Sequence, residues 1–264
     1  SSYFRYSNHP NAINVTTVHD FIYEHGKPTL KQRLRIKLNY RAIRHSDAIV
    51  CISENTKRDL FKFLPDIDPK KVHVIYNGVS DEYYPINQSP YPEYKEHILF
   101  VGGRQGYKNF DFAVKSIKPT KYKLLICGAP LNFNELELVN RYLPNRYHQI
   151  EFPSNEELNK IYNSVFALAY PSSYEGFGLP ILEAQRAGCP VIALNASSIP
   201  EVIGENSLLM PELTINSFNC LINNLENAKK RQKIITSGIE NAKKFSWKKM
   251  ANEYLALYNK LLKL

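Results

Sequence analysis

Tyr170-Pro-Ser-Ser-Tyr-Glu175-Gly-Phe-Gly-Leu-Pro-Ile-Leu-Glu183 decides the reading of this chain. It grows out of Val165-Phe-Ala-Leu-Ala-Tyr170, an apolar run that reads as a buried strand. It leads into Ile181-Leu-Glu-Ala-Gln-Arg-Ala187, a helix pattern closed by Gly188. Glu175 therefore sits on the strand-to-helix loop and Glu183 on the helix, with seven residues between them. The intervening glycines let backbone N–H groups approach a ligand at a helix N-terminus, where anions are favoured. Carboxylates accept hydrogen bonds from hydroxyls. A nucleotide sugar offers hydroxyls and phosphate together. The plain alternative is a solvated glutamate pair beside a tight loop.

Around this stretch the chain alternates. From His97 onward, strand patterns fall at 98–101, 122–127, 149–152, 165–169, 190–194 and 207–209, with helix patterns between them. Such alternation implies an α/β fold with a parallel sheet and right-handed crossovers. Upstream, strands are expected at 13–18, 48–52 and 72–75, and Ser53 is a helix N-cap. The Pro- and Tyr-rich stretch 81–96 reads as an interdomain linker. Helix patterns over 214–225, 228–243 and 245–264 close the chain, the last carrying Trp247, Met250, Tyr254, Leu257, Tyr258 and Leu261 at helical spacing.

Composition narrows the class. At 264 residues the chain suits one large or two small domains, and its 44% apolar content supports a core. No stretch approaches a membrane span, and no N-terminal run has a signal-peptide layout. Cys51, Cys127, Cys189 and Cys220 are widely spaced and read as reduced core thiols of a cytosolic protein. Asp66-Ile-Asp68 reads as a turn with helix-cap character, and the histidines lack zinc-ligand spacing, so no metal site is assigned.

The net charge of +9 is densest over 27–45, where Lys27, Lys31, Arg33, Arg35, Lys37, Arg41 and Arg44 stand without an acid. Arg33, Lys37, Arg41 and Arg44 form one helical stripe, with Leu34, Leu38 and Ala42 on one flank and Ile36, Tyr40 and Ile43 on the other. The plain reading is a solvated face on a helix packed through its flanks. The sharper one is contact between 27–44 and an anionic membrane surface, at about 1 kcal/mol per basic residue. No nucleic-acid module is present, so nucleic acid is not expected as a partner.

The glutamate pair in its Tyr-Glu-Gly-Phe-Gly-Leu-Pro setting resembles the signature of the retaining glycosyltransferases of family 4, from about Val15 to the C-terminus. The resemblance implies a GT-B-like fold: a Rossmann-type donor-binding domain over 93–244, a partial N-terminal Rossmann-like domain over 1–92, and a C-terminal helix over 245–264 that crosses back to it. Only three strands precede the linker where the family has more. The chain, opening at Ser1, is thus expected to self-associate, to need a complementary N-terminal chain, or to bind donor with little transfer.

By position, the resemblance gives His19 and Glu175 the catalytic roles at the donor sugar and Glu183 the ribose hydroxyls. Gly103, Arg104 and Lys108, in Val101-Gly-Gly-Arg-Gln-Gly-Tyr-Lys-Asn109, meet the donor diphosphate without metal, together with Phe177, Gly178 and Leu179. Phe152 and Pro153 border the nucleobase. Asp20 either orients His19 or caps the following segment. The resemblance implies no cofactor beyond the nucleotide-sugar substrate, GDP-mannose ahead of UDP-sugars. The acceptor is a glycan or lipid-linked sugar, and the location cytosolic, peripheral at the inner face of a membrane. A non-catalytic donor-binding subunit and a nucleotide-sugar epimerase are the competing functions.

Overall fold

Two parallel sheets organise the chain, each within its own compact unit. The computed structural model describes residues 4–205 and 207–263. The opening Ser1-Ser2-Tyr3, Asn206, and Leu264 at the end of the last helix pattern lie outside the described residues. One unit takes in the chain up to Gly78, then Glu175–Phe177 and Phe245 onward; the other takes in Val79–Tyr174 and Gly178–Lys244.

In the first unit, β1 (Val15–Val18), β2 (Ala48–Cys51) and β3 (Val72–Val74) pair in that order, Val15 opposite Ala48 and Ile49 opposite Val72. β2 is buried on both faces, as a central parallel strand should be. Ile49 and Cys51 face a cluster with Val18, Phe21, Ile43 and Leu60, whereas Ala48 and Val50 face the opposite side. α1 (Leu30–Arg44) opens on a capping box between Thr29 and Gln32. α2 (Glu54–Phe63) opens on Ser53, whose hydroxyl accepts from the Thr56 N–H at 3.0 Å.

α1 departs from the reading of a helix packed through both flanks. Ala42 and Ile43 are buried and Tyr40 packs beside them, but Leu30, Leu34 and Leu38 are 85%, 59% and 41% exposed. Among its residues only Ala42 and Ile43, in the last turn, are fully buried, so the leucines of the earlier turns lie open beside the cations.

The second unit runs β4 (His97–Val101), α3 (Phe110–Ile117), β5 (Lys123–Gly128), α4 (Phe133–Tyr142), β6 (Tyr147–Glu151), α5 (Asn155–Tyr162), β7 (Ala167–Tyr170), α6 (Leu179–Arg186), β8 (Val191–Leu194), α7 (Ile199–Ile203), β9 (Leu208–Met210), α8 (Ile215–Glu226) and α9 (Ala228–Ala242). Its strands pair in parallel in the order β6-β5-β4-β7-β8-β9. The chain steps outward from β4 through β5 to β6, then restarts at β7 on the other side of β4. Strand order reverses between β4 and β7, and open α/β sheets bind ligands beyond the carboxyl ends of the strands at such a switch point.

The stretch read as a linker is tied into this second unit. The backbone N–H groups of Tyr84, Ile86 and Tyr91 donate to Asn159 Oδ1, Asn163 Oδ1 and Ser164 Oγ at 3.1, 2.7 and 3.1 Å. Its prolines forbid a ladder, and these side chains replace the missing backbone partners.

α10 (Trp247–Leu262) belongs to the first unit. Leu257 is buried against Ala48, Val50 and Ile75, and the Tyr254 hydroxyl lies 2.8 Å from Thr17 Oγ1. Trp247 and Tyr258, read as part of the same packing stripe, are 44% and 40% exposed. Cys51, Cys127 and Cys189 are buried core thiols, but Cys220 stands exposed on α8, contrary to the reading of all four as core. Among the described residues, no helix is long and apolar enough to cross a membrane.

Candidate functional site

In the second unit, the loop after β4 and the loop after β7 flank the switch point. Asn109 joins them. It takes the left-handed conformation, φ 52°, that Asn tolerates better than most residues. Its Nδ2 donates to Pro171 O at 2.8 Å and Ser173 Oγ at 2.6 Å, while the Ser173 N–H donates to Tyr107 O at 2.8 Å. The reading of the glycine-rich loop missed Asn109, although an Asn ending such a loop just before a helix was the available signal.

Lys108 and Arg104 differ in their surroundings. The Lys108 ammonium lies 5.3 and 5.5 Å from the ring centres of Tyr107 and Tyr170. The Arg104 side chain is largely buried. Its Nε lies 3.0 Å from Glu135 Oε1, its Nη2 donates to Pro130 O at 2.7 Å, and its Nη1 is buried with no hydrogen-bond partner among the described residues. Arg104 thus holds α4 against the loop while keeping donor capacity in reserve.

Gly178 is the N-cap of α6 at φ 107°, a conformation glycine reaches without strain. It aims the helix start at the switch point without a capping side chain. Glu183, one turn further on, accepts a hydrogen bond from the fully buried Tyr162 hydroxyl at 3.2 Å. Burial pushes the Glu183 carboxyl up to about 7, and the Tyr162 bond only partly opposes this. Arg186, on the same helix, donates to Tyr83 O at 3.0 Å and pairs with Asp81. Tyr162 was not read from the sequence, because an aromatic residue on α5 carries no local sign of its distant partner.

Phe152 follows β6 with φ 45° and its ring 70% exposed, and its N–H donates to Gly128 O at 3.2 Å. A non-glycine residue in this conformation, with an open aromatic ring, offers a stacking face; Pro153 follows it directly. The neighbouring Cys127 is an inert thiol, pushed up to about 12 by burial. Gly103 lies at the start of the first switch-point loop, and Leu179 is the first residue of α6, directly after the second.

The first unit holds the other expected residues. Glu175-Gly176-Phe177 packs there with the His19-Asp20 turn after β1. A Cβ built on Gly176 would lie 2.0 Å from His19 O, so the two backbones meet at a distance that admits only hydrogen. Thr56 Oγ1, fully buried, lies 3.3 Å from Gly176 O, 3.5 Å from His19 O and 2.9 Å from Ser53 Oγ. The start of α2 therefore holds both loops, a role the reading of Ser53 as an N-cap did not foresee. The Phe177 ring is only 3% exposed, packed between Tyr76 and Phe245 at 6.0 and 5.8 Å. Any ligand contact from Phe177 thus falls to its backbone.

Burial pulls the pKa of His19 below its ordinary value, and neighbouring Asp20 opposes this only in part, which favours the neutral imidazole. Asp20 is raised by its own burial, with Glu175 adding like-charge repulsion. Its Oδ1 accepts from the Ile22 N–H at 3.1 Å, capping the next segment. Elsewhere Asp68 caps a 3₁₀ turn, accepting from the Lys70 N–H at 2.9 Å, and Asp66 pairs with Arg44 at 2.8 Å.

Residues 86–244 match the model of the family described as glycosyl transferases group 1, and residues 4–83 match that of glycosyltransferase family 4. The O-antigen chain mannosyltransferase B of Escherichia coli is 23% identical over 94% of this chain and 70% of its own length. The chain spans 54% to 67% of three further curated relatives. Among solved structures, sucrose-phosphate synthase from Thermosynechococcus elongatus aligns with TM-score 0.81 and 21% identity, over 94% of this chain and 68% of that one. HepE of Anabaena, solved with UDP and glucose, aligns with TM-score 0.78 and 18% identity, over 93% and 71%. At these identities the structural likeness shows the fold, that of the GT-B glycosyltransferases. Its sequence match across the second unit and its parallel-sheet architecture place the chain in the glycosyl transferases group 1 family.

Proposed function

We propose that the chain moves a hexose from a nucleotide sugar to a hydroxyl acceptor, with retention at the anomeric carbon. One observation carries the reading: residues packed with His19 run without a break through Gly178 into α6, which holds Glu183. Lys108, Arg104 and the amides of Gly178 and Leu179 would meet the diphosphate, Glu183 the ribose, Phe152 and Pro153 the base. Glu175 and neutral His19 would accept from and donate to the sugar hydroxyls.

In the transfer, the bond from the anomeric carbon to the diphosphate oxygen breaks. A bond to the acceptor oxygen forms on the same face, and the acceptor proton passes to the departing diphosphate. The protein supplies cations and N–H dipoles where negative charge grows, so neither a metal nor a protein nucleophile is assigned. GDP-mannose is the favoured donor, supported by the name of the Escherichia coli relative; a UDP-sugar is the second choice, supported by the Anabaena complex.

A transfer assay over GDP- and UDP-sugars, with and without EDTA, tests this. Transfer to a hydroxyl acceptor should persist in EDTA, with nucleotide released only when acceptor is present. Lys108→Met should weaken nucleotide diphosphate roughly 10- to 100-fold, the loss of about 1.5–3 kcal/mol from a charged hydrogen bond, and leave the nucleoside unchanged. Lys108 is the cleaner probe, because removing Arg104 would also strip Glu135 of its partner. Binding without turnover would make the chain a donor-binding subunit, and isomerised donor an epimerase. Loss of all binding in EDTA, restored by manganese, would overturn the metal-free reading.

The acceptor reading extends to α1. Its open Leu30, Leu34 and Leu38 beside seven cations suit an anionic lipid surface, apolar side chains entering and cations meeting headgroups. Co-sedimentation with phosphatidylglycerol vesicles should exceed that with phosphatidylcholine vesicles at least about tenfold. Leu30, Leu34 and Leu38→Ser together should abolish the difference, at roughly 2 kcal/mol per buried leucine. Equal binding to both vesicles would sink the membrane assignment.

A further inference from the structure

The switch-point loops occupy the carboxyl ends of the strands in the second unit. The opposite, amino ends carry a cavity of about 790 Å³. Its wall includes Lys95 and Glu96 before β4, Lys121 and Tyr122 before β5, Phe166 before β7, and Arg231 in the opening turn of α9. Strands of this length separate the two ends by roughly 13–20 Å.

Arg231 is the anomaly. Its guanidinium carbon lies 4.7 Å from the Phe166 ring centre, and Phe166 stacks on Tyr122 at 4.2 Å. Its Nη1 is buried with no hydrogen-bond partner among the described residues. The acids of the wall do not serve it. Glu226 is held by Lys121 Nζ at 2.9 Å and the Tyr122 hydroxyl at 3.0 Å, and Glu96 forms no ion pair among the described residues. Burial also works against the charge on Arg231.

A guanidinium N–H taken out of water without a hydrogen-bond acceptor is costly, and an apolar side chain in the same place would leave no such donor unmet. The start of α9 adds to the pull on an anion, since Asn227 caps only the Lys230 N–H, at 3.1 Å. Arg231, Lys121 and a helix N-terminus face a space larger than one small ion needs.

We propose that this cavity binds a phosphoryl anion, either free phosphate or the phosphate of a hexose phosphate, through Arg231, with Lys121 as the second cation. The assignment is independent of the donor reading, being at the other edge of the sheet. Its occupant would join α9 to the starts of β5 and β7.

Thermal unfolding of the whole chain against inorganic phosphate and against glucose 1-phosphate, at fixed pH and ionic strength, tests it. The Tm should rise by roughly 5–10 °C at a hundredfold excess over Kd. Arg231→Met should lose at least two thirds of that rise, yet match or exceed the wild-type Tm without anion, because Met keeps an apolar contact on Phe166 and no Arg231 ion pair is lost among the described residues. Any general salting-out effect of phosphate acts on both proteins alike and cancels in the comparison. Lys121→Gln, at a side chain 63% exposed, should fold normally and weaken the anion about three- to tenfold. Lys108→Met, on the opposite edge, should leave the rise intact. Glucose 1-phosphate binding at least tenfold tighter than phosphate would identify a sugar phosphate, and equal affinities free phosphate. Equal rises in wild type and Arg231→Met, unchanged affinity in Lys121→Gln, or an Arg231→Met protein destabilised without anion would each overturn the proposal.

Discussion

Replacing Gly176 by alanine is expected to remove transfer while sparing nucleotide binding. The added Cβ would lie 2.0 Å from His19 O and 3.0 Å from Asp20 Cβ, against an ordinary carbon contact of about 3.5 Å. A backbone oxygen cannot turn aside as a side chain does, so the His19 turn and the Glu175 loop must part by more than about 1 Å. A displacement of that size at reacting groups costs roughly 100-fold in rate. The measured result should be a transfer rate down at least about 100-fold, with nucleotide diphosphate affinity changed less than about threefold. The overpacking should also lower Tm by roughly 2–10 °C.

Thr56 separates position from bulk at the same junction. Thr56→Val keeps the volume but removes the hydroxyl beside Gly176 O and His19 O. It should lower kcat about tenfold with KM for donor little changed, and Thr56→Ser should restore most of the rate. Full activity in Gly176→Ala would refute the assignment of His19 and Glu175 to the reacting sugar.

Glu183→Gln should flatten the pH dependence of nucleotide binding and raise the stability of the ligand-free protein at high pH. In the folded chain burial holds the Glu183 carboxyl at about 7, above its ordinary value of 4.5. The folded state therefore keeps a proton that the unfolded state has lost between these two values. Stability falls as pH rises through that window and is lower by the full amount above about 7. A shift from 4.5 to about 7 corresponds to about 3 kcal/mol, an upper figure for a site that ligand or water can reach.

The ionised carboxylate is also the form that accepts hydroxyls most strongly. Wild-type affinity for nucleotide should rise between about pH 6 and 8, and Glu183→Gln should stay flat and bind roughly 10- to 100-fold more weakly at pH 8. Chemical unfolding of both proteins at pH 4.5 and pH 8 reads the second half of the prediction. Glu24, also pushed up to about 7 by burial, titrates in both and drops out of the difference. A stability difference that does not grow with pH would remove Glu183 as the titrating group, and parallel affinity curves would remove it from the ribose.

The alternation of strands and helices, the start of α2 at Ser53, and the order of glycines and glutamates in 170–183 were legible in the sequence. Each rests on neighbours within a few residues: side-chain periodicity selects the element, and caps and glycines mark its ends. Tertiary structure alone decided what those residues meet. Glu175–Phe177 is grouped with His19, more than 150 positions upstream, because Gly176 can touch its carbonyl. Arg104, read as a cation for a ligand, also holds Glu135, and the Glu183 carboxyl is pushed up to about 7 by burial. Nothing local in the sequence singles out Arg231, whose Nη1 the fold buries without a hydrogen-bond partner among the described residues. Local pattern is encoded in consecutive residues, whereas desolvation, close backbone approach and the pairing of charges arise from residues far apart in the chain, and those set the chemistry.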